Sequence, residues 1–155
     1  LTNARKDTYI DSAKTYISGA RNAAASGQFF LPITSGEITV IPLEAIPLEN
    51  DTYQSSFGKA WNSAVSYVVI ANEGTEEYPT YVYYYASCDA DGNYVNLTKE
   101  SDLVRTSVQR GTHNITSMTA TSAEEKRENV TLKTGSGNLT IGTNSTFTAY
   151  IYQAS

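Results

Sequence analysis

The sequence of 155 residues contains one cysteine, Cys88, and one histidine, His113. A single cysteine excludes a disulfide within the chain, so a hydrophobic core must stabilise the fold. A domain of this length buries about 70% of its unfolded surface, which is enough for such a core. Cys88 and His113 are the one thiol–imidazole pair available for nucleophilic catalysis, but neither lies in a recognisable motif. The alternative is a small buried hydrophobe and a loop histidine.

Charged residues are also scarce, and the acidic ones outnumber the basic ones. Charged residues make up 17% of the chain, and 11 Lys and Arg face 16 Asp and Glu, for a net charge of −5. This balance lacks the basic footprint of nucleic-acid binding, so we expect no nucleic-acid partner. No apolar run is long enough to cross a bilayer. The polar surface must come from Ser, Thr and Asn, and tyrosine is abundant, with 12 residues. Such a composition is typical of a secreted or cell-surface β-rich domain.

Catalytic signatures are absent from the sequence as well. There is no Gly-x-Ser-x-Gly, no phosphate-binding loop and no His-Glu-x-x-His pattern. We therefore expect neither enzymatic activity nor a cofactor.

The first 27 residues carry the strongest periodic signal. Apolar side chains recur at three- and four-residue steps, which predicts an amphipathic helix from about residue 3 to residue 26. The stripe consists of Tyr9, Ile10, Ala13, Tyr16, Ile17, Ala20 and Ala24. Gly27 is a good C-terminal stop. Gly19 costs about 1 kcal/mol inside a helix and is either tolerated or marks close approach of another backbone.

The N-terminal end of the predicted helix has weak start signals. Asn3 could cap it, but Arg5 and Lys6 occupy the first turn, where the helix dipole favours acidic groups. We therefore expect this segment to be the middle of a longer helix that processing or truncation has shortened.

The remainder of the chain, about residues 36–155, indicates β-structure. Strands are predicted at Ile38 to Ile41, 64–72, 80–87 and 145–153, with hairpins around "DADGN" (89–93) and "TGSG" (134–137). "TKESDLVR" (98–105) predicts one or two helical turns with Thr98 as a cap. The charged segment "ATSAEEKREN" (120–129) looks like a flexible insert. The expected fold is a single α+β domain, in which a long N-terminal helix packs on an antiparallel sheet and a β-rich tail follows.

The order "NARKDTYIDSAKTYISGARNAAASGQF", "ITVIPLEAIPLEN", "AVSYVVIAN", "YPTYVYYYAS" and "DADGNYVNL" resembles the type IV pilin family, most closely pilins and pilin-like proteins of Gram-positive anaerobes. The resemblance covers roughly residues 3–110. It implies that about two dozen apolar residues precede Leu1, as a membrane anchor in the precursor and as the filament core after assembly. A lone Cys88 departs from the Gram-negative pilins that close a C-terminal loop with a disulfide.

The resemblance implies a structural function. The chain would be the headgroup of a filament subunit on the bacterial surface, serving adhesion, motility or surface display, with other pilin subunits as partners. A secretion-system pseudopilin or a DNA-uptake minor pilin is a variant of this hypothesis. A separate hypothesis is a cell-surface adhesin module that binds carbohydrate or protein through exposed tyrosines.

Two groups of residues are candidate sites. Asp89, Asp91 and Asn93 have the first spacings of a calcium loop, but the sixth position holds Tyr94 where a sharp turn needs glycine, so a plain hairpin turn is the alternative. Tyr81, Tyr83 and Tyr85 share one face of a predicted strand. They form either part of the core or an exposed aromatic face that contacts neighbouring subunits or a glycan.

Six Asn-x-Ser/Thr triplets are glycan acceptors if the protein passes through a eukaryotic secretory pathway. A chain rich in Asn and Thr also produces such triplets by chance, which is the interpretation that a bacterial source favours. The triplets begin at Asn50, Asn96, Asn114, Asn129, Asn138 and Asn144.

Overall fold

The computed structural model describes residues 2–29, 31, 38–49, 51–118 and the strands at 124–128, 132–134, 137–139 and 148–152. A single α-helix, α1 (Asn3–Ala25), precedes all of the strands. The strands are β1 (Ile38–Pro42), β2 (Tyr67–Asn72), β3 (Tyr81–Cys88), β4 (Asn93–Lys99), β5 (Gln109–Arg110), β6 (Glu124–Glu128), β7 (Leu132–Thr134), β8 (Gly137–Leu139) and β9 (Thr148–Tyr152). The α+β class predicted from the sequence is confirmed.

Both ends of α1 are capped, and the N-terminal cap differs from the prediction. Thr2, not Asn3, adopts the extended cap conformation, and its hydroxyl accepts from the Arg5 amide at 3.3 Å. At the other end Gly27 has a φ of +81°, as its role as a stop requires. The Gln28 amide donates to the Ala23 carbonyl at 2.9 Å and the Gly27 amide to the Ala24 carbonyl at 3.1 Å. This pair of bonds is a Schellman motif, which satisfies carbonyls that the helix end leaves free.

Strands β1 to β5 form an antiparallel sheet in the order of the chain. The predicted hairpin between β3 and β4 is present, and so is the pairing of β7 with β8. The expectation of a wholly antiparallel sheet is wrong at the outer edges. Strand β9 runs parallel to β1, and β7 meets β4 in a parallel bridge. Parallel pairing needs a long connection that returns the chain to the end of the sheet at which the first strand began. The strands of both parallel pairs are far enough apart in the sequence for such a connection.

The charged segment expected to be a flexible insert contains a strand instead. Residues Glu124–Glu128 pair antiparallel with β9 along their whole length. Backbone hydrogen bonds do not depend on side-chain polarity, and a strand rich in charge suits the outer position of a sheet, where it discourages further pairing.

The sheet is covered on both faces. Helix α1 packs on one face, against inward side chains of β1 to β4 that include Ile41, Val68 and Tyr85. The other face, which includes Val40, Tyr67 and Val69, packs against Ile115, Met118 and Leu132. The segment before Met118 is held by hydrogen bonds from Tyr67 Oη to the Thr116 carbonyl, at 2.6 Å, and from the Met118 amide to the Ala64 carbonyl, at 2.8 Å. This second covering explains why every residue of β2 is buried.

Two local predictions need correction. The segment 98–105 forms short 3-10 turns at Glu100–Asp102 and Arg105–Ser107, but Thr98 lies within β4 and caps neither of them. Gly19 does mark a close approach, although side chains rather than backbone make it. A Cβ on Gly19 would lie 2.6 Å from Leu48 Cδ2 and 2.9 Å from Ile46 Cγ2.

Candidate functional site

The helix stripe predicted from the sequence is the contact surface between α1 and the sheet. All seven of its residues are buried, and Ala23 joins them. The residues between them are mostly exposed, among them Asp11, Lys14 and Ser18. The helix thus has one apolar face against its own sheet and one polar face toward solvent.

Tyr9 connects this stripe to the turn between β3 and β4. Its hydroxyl lies 3.0 Å from the hydroxyl of Ser87 and donates to the Asn93 carbonyl at 3.2 Å. Its ring meets the single tryptophan, Trp61, edge-on at 5.3 Å between centroids. Burial raises the pKa of Tyr9 far above its ordinary value, because no solvent stabilises a phenolate there.

Tyr16 makes a second polar connection two helical turns further on. It donates to Asp51 Oδ2 at 2.7 Å and accepts from Trp61 Nε1 at 3.2 Å, and its ring stacks against Tyr85. Burial raises the pKa of Tyr16, and the bond to Asp51 raises it further. Asp51 and Trp61 were not predicted as contact residues. No local pattern marks either of them, since Tyr16 lies 35 residues from Asp51 and 45 residues from Trp61.

Of the two alternatives for Tyr81, Tyr83 and Tyr85, the structure favours a place in the core for Tyr83 and Tyr85. These side chains point toward α1, where Tyr85 is fully buried and Tyr83 is 8% exposed, and only Tyr81 keeps partial exposure. The helix needs large apolar partners across the sheet, and the tyrosine rings supply them. The strongly exposed tyrosine of the described residues is Tyr78, 74% exposed in the loop between β2 and β3. Tyr150 and Tyr152 are further candidates for such an aromatic face, and their side chains lie outside what the structure describes.

The "DADGN" segment forms a tight turn held by one buried carboxylate. Asp89 Oδ1 accepts from the amides of Asp91, at 3.0 Å, and Asn93, at 2.9 Å. Asp89 Oδ2 accepts from Asn93 Nδ2 at 3.0 Å and from Ser55 Oγ at 2.6 Å. Gly92 has a φ of +85°, and Asp91 pairs with Arg110 on β5. These contacts occupy both oxygens of the Asp89 carboxylate, which favours the alternative of a hairpin turn.

Cys88 and His113 make different contacts. Cys88 is buried, its thiol donates to the Asp89 carbonyl, and burial raises the pKa of that thiol. His113 meets the ring of Tyr94 edge-on, and its Nδ1 accepts from the Ile115 amide at 3.1 Å. Neither arrangement activates a nucleophile. Within the described residues, no group of three His, Cys, Asp or Glu side chains is arranged to hold a metal ion.

The polar face of α1 is tied at two places to the segment that follows β4. Arg105 binds the carboxylate of Asp7 through Nε at 2.8 Å and Nη2 at 2.7 Å. These bonds lower the pKa of Asp7 and raise that of Arg105. Further along the helix, Arg21 pairs with Glu100. The two pairs align the helix with the sheet from the solvent side.

Protein-family models, curated proteins and solved structures gave no match to this chain. In the part of the chain that the structure describes, no helix has both the length and the apolar character needed to span a bilayer.

Proposed function

We propose that the chain is the headgroup of a type IV pilin-like subunit, which assembles with copies of itself into a filament on the bacterial surface. It carries out no chemistry of its own. Its contribution would be adhesion, motility or surface display. A pseudopilin of a secretion system or a minor pilin of DNA uptake would use the same headgroup.

The two-faced helix is the observation that carries this proposal. Over its 23 residues, α1 buries one stripe against its own sheet and leaves the opposite polar face exposed. None of the side chains of residues 3–8 is buried, so the first turns of the helix lie outside the hydrophobic core. A subunit that packs side by side with its copies needs such a rigid rod, with one face committed to its own domain and exposed polar side chains, such as Asp11, Lys14 and Ser18, on the other.

The alternative of an adhesin module with a broad exposed aromatic face loses two of the three tyrosines that suggested it. Tyr83 and Tyr85 contribute to the core and are not accessible to a ligand. The filament proposal does not depend on these side chains.

Thiol accessibility on cells tests the proposal. Lys14→Cys places a thiol on the exposed polar face of α1, and Tyr78→Cys places one on the exposed β2–β3 loop. The native Cys88 is buried and gives little background labelling. In the purified chain a maleimide should label both new cysteines. On intact cells of the source organism, Tyr78→Cys should label and Lys14→Cys should be protected. Equal labelling of both on cells would contradict assembly through the helix face.

A further inference from the structure

A cleft opens where the C-terminal half of α1 passes over the start of β3 and the end of β4. Its volume is about 310 Å³, at the small end of the range for ligand clefts. The side chains that matter for recognition are those of Arg21, Tyr81, Tyr83, Lys99, Glu100 and Ser101. The cleft lies at the edge of the helix–sheet contact, where Arg21 of α1 meets Tyr83 and Glu100.

Arg21 is held in a fixed orientation at this cleft. Its Nη2 pairs with Glu100 Oε1, and its guanidinium carbon lies 4.6 Å from the centroid of the Tyr83 ring. A guanidinium oriented by both a carboxylate and an aromatic ring is already ordered before a ligand arrives. Its Nε and Nη1 donors make no hydrogen bond with the described residues, and the side chain is 45% exposed. Those donors suit a ligand carboxylate.

Tyr81 supplies an apolar surface beside these polar groups. It is the one tyrosine of the β3 face that stays partly exposed, and it packs on the core from the rim of the cleft. The negative face of an aromatic ring attracts polarised C–H groups, such as those on the face of a pyranose ring. The second carboxylate oxygen of Glu100 and the hydroxyl of Ser101 are available for sugar hydroxyl groups.

The positive net charge of the cleft favours an acidic sugar over a neutral one. Arg21 and Lys99 together outweigh the single carboxylate of Glu100, whereas the chain as a whole carries a net charge of −5. We propose that this cleft binds an acidic carbohydrate, with the sugar carboxylate on the free edge of Arg21, its ring on Tyr81 and its hydroxyl groups on Glu100 and Ser101. This goes beyond the filament proposal and does not depend on it.

The test is a titration of the ¹⁵N-labelled chain followed by amide chemical shifts. The probes are D-glucuronic acid, D-glucose as its neutral counterpart, and acetate as a carboxylate without a sugar ring. Glucuronic acid should shift the amides of residue 21, residues 81–83 and residues 99–101 in a saturable way. Glucose and acetate should each bind at least about tenfold more weakly, the loss expected when one hydrogen-bonded charge or one stacked ring is missing.

Matched arginine variants complete the test. Arg21→Gln should weaken glucuronic acid binding at least about tenfold. Arg105→Gln is the matched control, because Arg105 also pairs with an acidic residue at the helix surface but lies outside the cleft. It should leave glucuronic acid binding unchanged. Tyr81→Ala should weaken binding of glucuronic acid but not of acetate. Equal binding of glucose, equal binding of acetate, scattered shifts or an Arg21→Gln variant that binds like Arg105→Gln would overturn the assignment. None of these outcomes bears on filament assembly, which thiol labelling tests separately.

Discussion

The hydroxyl of Tyr9 on the helix lies 3.0 Å from the hydroxyl of Ser87 on β3, across a separation of 78 residues. Both groups are buried, and Tyr9 also donates to the Asn93 carbonyl on β4. One side chain therefore fixes the rotation of the helix against the β3–β4 hairpin. Hydrophobic contact alone does not set such a position, because it is not directional.

Tyr9→Phe keeps the ring of Tyr9 and removes this connection. It should lower the free energy of unfolding by about 1–3 kcal/mol, because the Ser87 hydroxyl and the Asn93 carbonyl lose a buried partner. Urea unfolding followed by far-UV circular dichroism measures the change. Tyr78→Phe, at an exposed position, is the control and should change stability by less than about 0.5 kcal/mol. Equal stabilities of the two variants would show that the Tyr9 hydroxyl does not contribute.

Gly19→Ala should destabilise the protein although alanine is the better helix former. The new Cβ meets Leu48 and the fully buried Ile46 below 3.0 Å, so we expect a strain in the upper part of the overpacking range, about 2–3 kcal/mol, which exceeds the propensity gain of about 1 kcal/mol. Urea unfolding measures both. In a Leu48→Ala background the same change should cost less, because the closer of the two contacts is gone and only the approach to Ile46 remains. Destabilisation of equal size in both backgrounds would contradict a clash with Leu48.

Asp89→Ala should cost about 3 kcal/mol or more, because it leaves the Ser55 hydroxyl and the amide groups of Asn93 without their buried acceptor. Asp91→Ala in the same turn should cost less than about 1 kcal/mol, because its pair with Arg110 is exposed. Thermal unfolding of each variant gives the comparison.

Calcium should not stabilise this turn. The midpoint of thermal unfolding should be the same with added calcium chloride as with EDTA, because hydrogen bonds already occupy the carboxylate of Asp89. A rise in that midpoint with calcium, lost in Asp89→Ala, would restore the metal site as the better interpretation.

Alkaline pH should destabilise the folded protein, because its buried tyrosines can lose their protons only when the chain unfolds. Burial raises the pKa of Tyr9, Tyr67 and Tyr85 above the ordinary value of 10.0. Above pH 10.0 the unfolded chain loses these protons while the folded chain keeps them, so stability is intact below that pH and falls above it. The slope is about 1.4 kcal/mol per pH unit for each such tyrosine. The phenolate absorbance of these buried tyrosines should therefore rise only together with the loss of circular dichroism. Full ionisation of the folded chain would contradict the burial.

The helix was predictable from the sequence because its signal is local. A period of 3.6 residues selects the stripe, and Gly27 ends it with a conformation that only glycine adopts freely. The strands of the hairpin around Gly92 were predictable for the same reason. The N-terminal cap at Thr2 was missed because Asn3 is an equally good capping residue one position away.

The position of the tyrosines was not predictable, because it depends on distant parts of the chain. Alternation on β3 shows that Tyr83 and Tyr84 lie on opposite faces, but not that both faces are covered. Helix α1 covers one, and the segment that ends at Met118 covers the other. The partners of Tyr16 and Asp89 are likewise set by tertiary packing, with no spacing in the sequence that indicates them.

The central claim, that this chain is a subunit of a surface filament, is tested most directly by immunogold electron microscopy. Antibodies raised against the purified chain would be applied to filaments sheared from cells of the source organism, with cells lacking the gene as the control. The account predicts gold particles along the length of thin filaments and their absence from the control cells. Filaments that stay unlabelled and unchanged in number when the gene is deleted, with the protein detected only elsewhere, would contradict it.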